Sequence, residues 1–459
     1  MVVMFFEQKT IMHLLTDKSH EYLSVEDALA RNNNVFITGA GGTGKSFLIN
    51  QLRKDSTYFS DNCFFTGSTG ISASNINGST IHSLLGIYPN QNIHQTLTTS
   101  GKAINRNDID SNSIIVLDEI SMVSNKLLDT INFVLQTHLQ ENRIFGGVRF
   151  VFVGDFLQLQ PVFKKDECYV LPDDEYNRYS NVDKIKIDSC LFSETWRLAN
   201  VKTIHLTEKK RFLEGNKEFI DKLDDVRKGE YDIQYWQQFK KTQRNEKYIL
   251  LSSTNDIANE ENNKKLSELN GEQHKYSIDI QPPKIKPTKE KDLMAYKTIT
   301  SNYAKYDNLV LKKGAKVILC VNFDVNKGLY NGRQGVVVDF KNNNPVVLFD
   351  NNIKITISKY NTTYSIQSKK RRKKHTFTYN ISFIPLRLGW AISIHSSQGL
   401  TLDGVSLYAK NIFAKGQLYT ALSRVKDCKN LEILSFPTHF VAPDKRIVDF
   451  YNHLQSVES

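Results

Sequence analysis

The residues with the clearest chemistry form a glycine-rich loop near the start of the chain. The segment GAGGTGKS matches the spacing G-x-x-x-x-G-K-[ST] and lies between a predicted strand, Val35–Thr38, and a predicted helix. In such a loop, backbone N–H groups surround nucleotide phosphates, the lysine reaches the β- and γ-phosphates, and the hydroxyl binds Mg²⁺. The predicted ATP-binding residues are Gly39, Gly41, Gly42, Thr43, Gly44, Lys45 and Ser46.

Two further polar groups follow apolar runs that are typical of buried parallel strands. Asp118 and Glu119 follow SIIVL; the aspartate is placed to hold Mg²⁺ and the glutamate to activate the attacking water. Gln158 lies in VFVGDFLQLQPV, where a neutral amide could sense a γ-phosphate or its water. The chain is therefore predicted to hydrolyse ATP, with ATP and Mg²⁺ as cofactors.

These groups need a doubly wound α/β scaffold, which residues 30–165 predict. Further predicted elements are the strand VKTIHLT, a helix closed by Gly229, the strand KYILLSST and a helix to Leu269. Short strands between 314 and 384 predict a small β-barrel inserted into this second α/β region. After the predicted barrel the pattern of alternating strands and helices resumes, and a helix is expected near Leu388–Ile394.

Composition limits the classes of function. The 459 residues suit two to four domains, and the net charge is +11, of which KKRRKK at 369–374 supplies six. Nucleic acid is the obvious partner for such a charge. The five cysteines form no C-x-x-C pair, which disfavours a zinc site or a disulfide framework. No apolar run is long enough for a membrane span, and the N-terminus is not predicted to be a signal peptide.

Four longer segments make the prediction specific: FFTGSTGISASNINGSTIHSLLGI, GDFLQLQPV, IPLRLGWAISIHSSQGLTLD and KGQLYTALSRV. Together with LDEISMV, their order resembles the PIF (petite-integration-frequency) family of superfamily 1B DNA helicases, which is related to the RecD-type enzymes. The resemblance extends from about Val35 to Tyr451. It implies two RecA-like P-loop domains, a small β-barrel inserted in the second and a short wedge insert in the first.

The predicted boundaries follow from this. An N-terminal RecA-like domain covers 1–185, with its wedge insert at about 88–110. The second RecA-like domain covers 186–313 and 385–459, and the inserted barrel covers 314–384.

The resemblance also implies roles for residues at matching positions. Arg211 and Arg424 resemble the arginines that reach the γ-phosphate, Gln417 resembles a nucleotide-reporting residue, and Gln8 resembles the adenine-reading glutamine. The implied strand-binding residues are Thr80, His82, His395, Ser397, Gln398 and Thr401. Ser396 stands where the family often has lysine.

The predicted function is an ATP-dependent DNA helicase that translocates 5′→3′ on single-stranded DNA and unwinds duplex or structured DNA in replication, repair or recombination. The expected partners are single-stranded DNA and single-strand/duplex junctions, with RNA as an open alternative, and the expected state is a monomeric motor without membrane contact. A translocase that displaces proteins is one alternative, which the short wedge insert favours. A non-hydrolysing scaffold is another, which the retained catalytic residues disfavour.

The basic run at 369–374 has three interpretations: a DNA contact between barrel strands, a nuclear localisation signal, or a solvated hairpin end. The expected location is accordingly intracellular, at the nucleus or a site of DNA replication if the run is a signal, and otherwise cytoplasmic.

Overall fold

The structure is a computed structural model. It describes residues 25–458 apart from 26, 32, 56–58, 60–61, 77, 89–90, 92, 162–188, 213–214, 285–286, 288–291, 294, 297–298, 301–302, 304–305, 322, 325–326, 330 and 371–372. The chain divides into two compact units. Unit 1 comprises Met1–Gln238, Asn411–Cys428 and Pro437–Ser459, and unit 2 comprises Phe239–Lys410 and Lys429–Phe436.

Unit 1 is built on a six-stranded sheet in the order β3-β2-β4-β5-β1-β6, and every pairing in it is parallel. Its strands are β1 (Val35–Gly39), β2 (Cys63–Gly67), β3 (Ser79–Thr80), β4 (Ile114–Asp118), β5 (Arg149–Gly154) and β6 (Lys202–Leu206). The carboxyl ends of β1, β4 and β5 carry the glycine-rich loop, the acidic pair and the Gln158 segment. The α/β prediction is confirmed.

Alternating side chains on the sheet of unit 1 fill two hydrophobic cores. On β1, Phe36 packs into one core, whereas Val35 and Ile37 pack into the other. Both faces of a parallel sheet must be covered, which explains why these strands read as continuous apolar runs. The helices of unit 1 are α1 (Lys45–Asp55), α2 (Gly70–Asn75), α3 (Ile81–Leu85), α4 (Ile93–Asn107), α5 (Asn125–Leu139), α6 (Glu194–Leu198), α7 (Lys217–Lys228), α8 (Ile233–Trp236), α9 (Gln417–Leu422) and α10 (Lys445–Glu458).

Unit 2 combines a parallel sheet with antiparallel sheets. The parallel sheet has the order β18-β7-β19-β20, from β7 (Ile249–Ser252), β18 (Ala391–Ser393), β19 (Val405–Tyr408) and β20 (Leu431–Ser435). Helix α11 (Asn255–Glu268) follows β7.

The antiparallel strands are β8 (His274–Tyr276), β9 (Asp279–Gln281), β10 (Leu309–Leu311), β11 (Lys316–Leu319), β12 (Gln334–Lys341), β13 (Asn344–Phe349), β14 (Lys354–Thr356), β15 (Tyr360–Lys370), β16 (Lys373–Phe383) and β17 (Leu386–Leu388). They form a five-, a three- and a two-stranded sheet around one hydrophobic core. The predicted insertion of a small β region between strands of the second α/β region is confirmed. The basic run lies where β15 and β16 meet, with Lys370 paired to Lys373.

The helix expected near Leu388–Ile394 is wrong. The segment forms the last residue of β17 and all of β18, which are separated by Gly389 and Trp390. A Cβ at Gly389 would lie 2.9 Å from the backbone carbonyl carbon of Val317. The close approach of the two backbones therefore requires a residue without a side chain between the two strands. All three residues of β18 are buried. A fully buried strand gives an apolar run without alternation, which periodicity does not distinguish from a buried helix.

The two units do not follow the predicted domain boundaries. Strand β6, placed after the boundary at 186, pairs with β1 in the first sheet. Residues 411–428 and 437–459 also group with unit 1, although 385–459 was expected in the second domain. Among the described residues of the stretch 88–110, helix α4 spans Ile93–Asn107. Within the part of the chain that the structure describes, no helix is long and apolar enough to cross a membrane.

Candidate active site

The glycine-rich loop of unit 1 has the backbone that its sequence requires. Gly42 and Gly44 have φ of +89° and +92°, values that glycine adopts without steric cost. Lys45 begins α1, and its Nζ donates to the carbonyl oxygens of Gly39 at 2.7 Å and Ala40 at 3.1 Å. Thr43 Oγ1 also donates to Ala40 O, at 3.0 Å. The lysine is thus held inside its own loop, and Ser46 beside it is exposed.

The carboxylates around Lys45 come from two predicted segments, the acidic pair and the segment that carries Gln158. Burial lowers the pKa of Lys45, whereas the carboxylates of Asp155, Glu119 and Asp118 act in the opposite direction. The lysine therefore lies within electrostatic reach of the acidic pair. This placement agrees with the geometry expected at the carboxyl edge of a parallel sheet.

The acidic pair adopts a strained turn at the end of β4. Glu119 has φ 56° and ψ 48°, a left-handed conformation that is uncommon for a residue with a Cβ. Asp118 Oδ1 accepts from Glu119 N at 2.9 Å, and Ser68 Oγ donates to Glu119 O at 2.9 Å. Burial, together with the Glu119 charge, raises the pKa of Asp118. A strained conformation of this kind persists where surrounding contacts hold it, and the hydrogen bonds to Asp118 and Ser68 hold Glu119 beside Asp118.

Gln158 is buried in a turn that Asp155 organises. The amide N–H of Gln158 donates to Asp155 O at 2.9 Å, and its Nε2 lies 3.4 Å from Asp155 Oδ2. Asp155 Oδ1 also accepts from Leu157 N at 3.1 Å. Phe156, next to Asp155, is fully buried and packs against Phe36.

Both predicted arginines lie in unit 1 with the loop. The backbone N–H of Arg211 donates to Gly42 O at 3.2 Å, and its Nη1 donates to Ser423 O at 2.7 Å. Arg424 is buried, and its Nε donates to Thr420 O at 2.7 Å. Burial lowers the pKa of Arg211 to about 9, with repulsion from Arg424 as the second cause. Burial also lowers the pKa of Arg424, and Glu119 opposes the change.

Helix α9 brings two more side chains to this region. Gln417 is buried, and its Oε1 accepts from the backbone N–H groups of Phe413 at 3.0 Å and Ala414 at 3.1 Å. Its carbonyl oxygen therefore holds the preceding turn. Tyr419 is also buried, and its hydroxyl accepts from Gly41 N at 2.8 Å. Gln8, the predicted adenine reader, lies outside the described residues.

The predicted strand-binding residues fall into both units. In unit 1, Thr80 caps helix α3 by accepting from Ser83 N at 3.2 Å, and His82 lies within that helix. Burial lowers the pKa of His82 to about 4, so its imidazole is neutral at pH 7.

In unit 2, the turn after β18 places His395 and Ser397 in a short 3-10 helix. Ser397 is fully buried, and its Oγ donates to Ile394 O at 2.7 Å, so this hydroxyl stabilises the turn. Gln398 is also buried, whereas His395 and Thr401 are half-buried. Burial lowers the pKa of His395.

Sequence reasoning missed an ion pair in unit 1. Arg227 of α7 binds Asp155 through two hydrogen bonds, Nε to Oδ2 at 3.0 Å and Nη2 to Oδ1 at 2.8 Å. The signal available was a charged residue on the apolar side of an amphipathic helix, eight positions after Phe219. The Tyr419 hydroxyl gave no such signal, because a tyrosine in a buried helix is usually core.

The residues fit a nucleotide with Mg²⁺. The Ser46 hydroxyl and the Asp118 carboxylate are oxygen donors of the kind that Mg²⁺ prefers. Among the described residues there is no group of three or more histidine, cysteine, aspartate or glutamate side chains that could hold a metal. A Mg²⁺ ion would therefore rely on these two residues and on phosphate oxygens.

A parallel sheet with this loop at the end of β1 and an acidic pair at the end of β4 defines a P-loop nucleoside triphosphatase fold. Residues 6–237 match the model of the PIF1-like helicase family, and residues 297–340 match that of the DNA helicase Pif1 2B domain. The chain belongs to the PIF1-like helicase family.

One vertebrate and one bacterial relative support the same family assignment. The ATP-dependent DNA helicase PIF1 of Xenopus laevis is 32% identical over 454 residues, covering 94% of this chain and 64% of the relative. The ATP-dependent DNA helicase Pif1 of Campylobacter jejuni is 30% identical over 455 residues, covering 91% of this chain and 94% of the relative. The chain thus spans a little under two thirds of the vertebrate relative and nearly all of the bacterial one.

Solved structures extend the similarity to the fold. Bacteroides sp Pif1 in complex with ADP-AlF4 has a TM-score of 0.70 at 27% identity, covering 100% of this chain and 98% of that one. Bacteroides Pif1 bound to ssDNA has a TM-score of 0.60 at 28% identity, covering 95% and 97%. Pif1 helicase from Candida albicans has a TM-score of 0.69 at 27% identity, covering 95% and 98%.

Proposed function

We propose that the chain is an ATP-dependent DNA helicase that moves 5′→3′ along single-stranded DNA and unwinds duplex or structured DNA. The observation that carries the proposal is the electrostatic grouping of Lys45, Glu119 and the arginine pair in one unit. An ATP-binding scaffold needs the lysine but has no need for an acid and two arginines beside it. The solved Pif1 complexes with ADP-AlF4 and with ssDNA support both ligands.

The proposed roles follow from the chemistry of each group. Lys45 binds the β- and γ-phosphates after leaving the carbonyls of Gly39 and Ala40. Ser46 and Asp118 hold Mg²⁺, which when bound neutralises phosphate charge. Glu119 accepts the proton of the attacking water, and Gln158 orients that water. Arg211 and Arg424 stabilise negative charge that develops on the transferred phosphoryl group.

Strand binding is proposed to use neutral groups. Thr80, His82, His395 and Thr401 can donate to phosphate oxygens without a formal charge, so a motor can release them at each step. Ser397 and Gln398 are buried, and their proposed contribution is to hold the turn that presents His395 and Thr401. Base-independent binding of this kind is typical of proteins that track a single strand.

Steady-state ATPase assays with and without single-stranded DNA test the catalytic roles. We expect DNA to stimulate the wild-type chain. Glu119→Gln should lower kcat by at least about 10²-fold, and Arg424→Ala by roughly 10³-fold. DNA-stimulated ATPase activity that survives Glu119→Gln would show that Glu119 does not accept the proton of the attacking water. Absence of stimulation by single-stranded DNA would remove the helicase proposal.

A second candidate function is a translocase that strips proteins from DNA with little unwinding. The described residues of the stretch 88–110, where a short wedge insert is expected, include one helix, α4, which favours this alternative. Strand displacement and protein displacement measured on the same tailed substrate separate the two functions, because a stripping translocase clears the protein and leaves the duplex intact.

A further inference from the structure

Unit 1 contains a buried ion pair outside the predicted catalytic residues. Arg227 and Asp155 have side-chain exposures of 3% and 0% and share two hydrogen bonds. Although burial opposes ionisation of both groups, their mutual attraction raises the pKa of Arg227 and lowers that of Asp155. A buried ion pair does little for net stability, because desolvation offsets the attraction. The Arg227–Asp155 pair is therefore better explained by a role in positioning the groups around it.

On one side, the pair fixes the turn that carries Gln158. The two carboxylate oxygens that bind Arg227 also face Leu157 N at 3.1 Å and Gln158 Nε2 at 3.4 Å. The Arg227 guanidinium therefore orients the Asp155 carboxylate, and this carboxylate orients the turn that carries Gln158. Rotation of Asp155 would release both groups of the turn together.

On the other side, Arg227 belongs to helix α7, which is tied to the arginine segments. Lys209, two residues before Arg211, donates to Asp224 Oδ2 of this helix at 2.5 Å. Asn216 Oδ1, at the start of the helix, accepts from Cys428 N at 2.8 Å, four residues after Arg424. Helix α7 thus joins the segments of both arginines to the Gln158 turn through Arg227.

The guanidinium is also fixed in orientation. It lies 4.5 Å from the ring centroid of Tyr451, and the Tyr451 hydroxyl accepts from Phe156 N at 3.0 Å and lies 2.7 Å from Thr38 Oγ1. Phe156 follows Asp155, and Thr38 precedes Gly39 of the loop. The aromatic face and the bidentate carboxylate leave the planar group one orientation, which a lysine could not reproduce.

We propose that Arg227 is a positioning residue for ATP hydrolysis, which sets Gln158 against the arginine segments through Asp155 and helix α7. The inference rests on the proposed ATPase activity and deepens it. Arg227 acts through other residues, so its loss should change kcat and leave nucleotide binding largely intact.

The test compares Arg227→Met, the double variant Asp155→Asn/Arg227→Met and the control Lys222→Met, which removes a partly exposed charge of the same helix that pairs with Asp232. Arg227→Met should lower the DNA-stimulated kcat at least about tenfold and change the KM for ATP less than about twofold, because small misplacements act on the reaction step. It should also lower Tm, because Asp155 is left buried without its partner. In the double variant Tm should recover while kcat stays low. Lys222→Met should change neither.

Epistasis separates positioning from a general structural effect. In a Gln158→Ala background, Arg227→Met should lower kcat by much less than in the wild type, since both substitutions remove the same contribution. Full additivity, or recovery of kcat together with Tm in the double variant, would overturn the inference. If the double variant does not fold, Arg227→Lys, which keeps the charge but loses the bidentate geometry, is measured in its place. Its DNA-stimulated kcat should be low, as in Arg227→Met, and a wild-type kcat would overturn the inference. A wild-type chain without ATPase activity would overturn this inference with the proposed function, whereas ATPase activity without unwinding would overturn the helicase proposal alone.

Discussion

At the residue scale, the Tyr419 hydroxyl accepts a hydrogen bond from a backbone N–H group of the glycine-rich loop. Gly41 N donates to it at 2.8 Å, and both residues are buried. Tyr419→Phe would leave that N–H without its acceptor, which should lower the free energy of unfolding of the nucleotide-free chain by about 1 kcal/mol. Urea unfolding of unit 1 measures the change.

A matched control exists in unit 2. The Tyr276 hydroxyl is buried and has no hydrogen-bond partner among the described residues. Tyr276→Phe should therefore leave the stability unchanged or raise it slightly. Equal losses in both variants would show that the Gly41 contact contributes nothing specific.

Ser396 gives a second prediction at this scale. Its hydroxyl accepts from Ser393 Oγ at 2.9 Å, and the residue is half-buried in the turn that follows β18. Ser396→Lys should tighten single-strand binding and steepen its dependence on log salt by roughly 0.7, the value for one added phosphate contact on a single strand. Fluorescence anisotropy across a salt titration measures both quantities. Unchanged affinity and slope would mean that the side chain points away from DNA.

The sequence predicted the loop and the acidic pair because their roles depend on local spacing. Gly42, Lys45 and Asp118 occupy positions that the strand-loop-helix pattern defines. Arg227 lies 72 residues from Asp155, and no local pattern indicates that the two meet. The burial of Ser397 was not predicted either.

At the element scale, the antiparallel region of unit 2 touches the turn that follows β18. Gly332 has φ +97°, and a Cβ there would lie 3.1 Å from Leu400 Cδ2. Gly332→Ala should shift this turn, which carries His395 and Thr401, and weaken single-strand binding several-fold without changing the KM for ATP. Anisotropy and ATPase titrations measure the two effects.

Gly271→Ala is the control for backbone strain. Gly271 has φ +110°, but a Cβ there would meet nothing within 4 Å. Both substitutions should cost about 1 kcal/mol of stability from strain, yet only Gly332→Ala should affect DNA binding. An equal loss of DNA affinity in both variants would contradict the role assigned to the Leu400 contact.

The elements predicted best were those with a strong periodic or capping signal. Helix α7 ends at Gly229 as expected, because φ of 101° at that position suits glycine. The helix expected near Leu388–Ile394 was wrong because β18, buried at all three residues, lacks the alternation that marks a strand. The outcome depended on partners in distant strands, β7 and β11.

At the scale of the whole molecule, the family and the α/β class followed from motif order, whereas the boundaries did not. Strand β6 joins the first sheet through long-range pairing with β1, which no local pattern in the sequence indicates. Residues 411–428 and 437–459 group with unit 1, which places Tyr419, Arg424 and Tyr451 with the glycine-rich loop. Motif order alone could not show which unit these residues join.

The central claim is ATP-driven movement along one strand with a defined polarity. The most direct test is single-turnover unwinding of duplexes with either a 5′ or a 3′ single-stranded tail, in ATP and Mg²⁺, with Glu119→Gln as the matched control. We predict unwinding of the 5′-tailed duplex by the wild-type chain and none by the variant. Preferential unwinding of the 3′-tailed duplex, or unwinding that survives Glu119→Gln, would contradict the account.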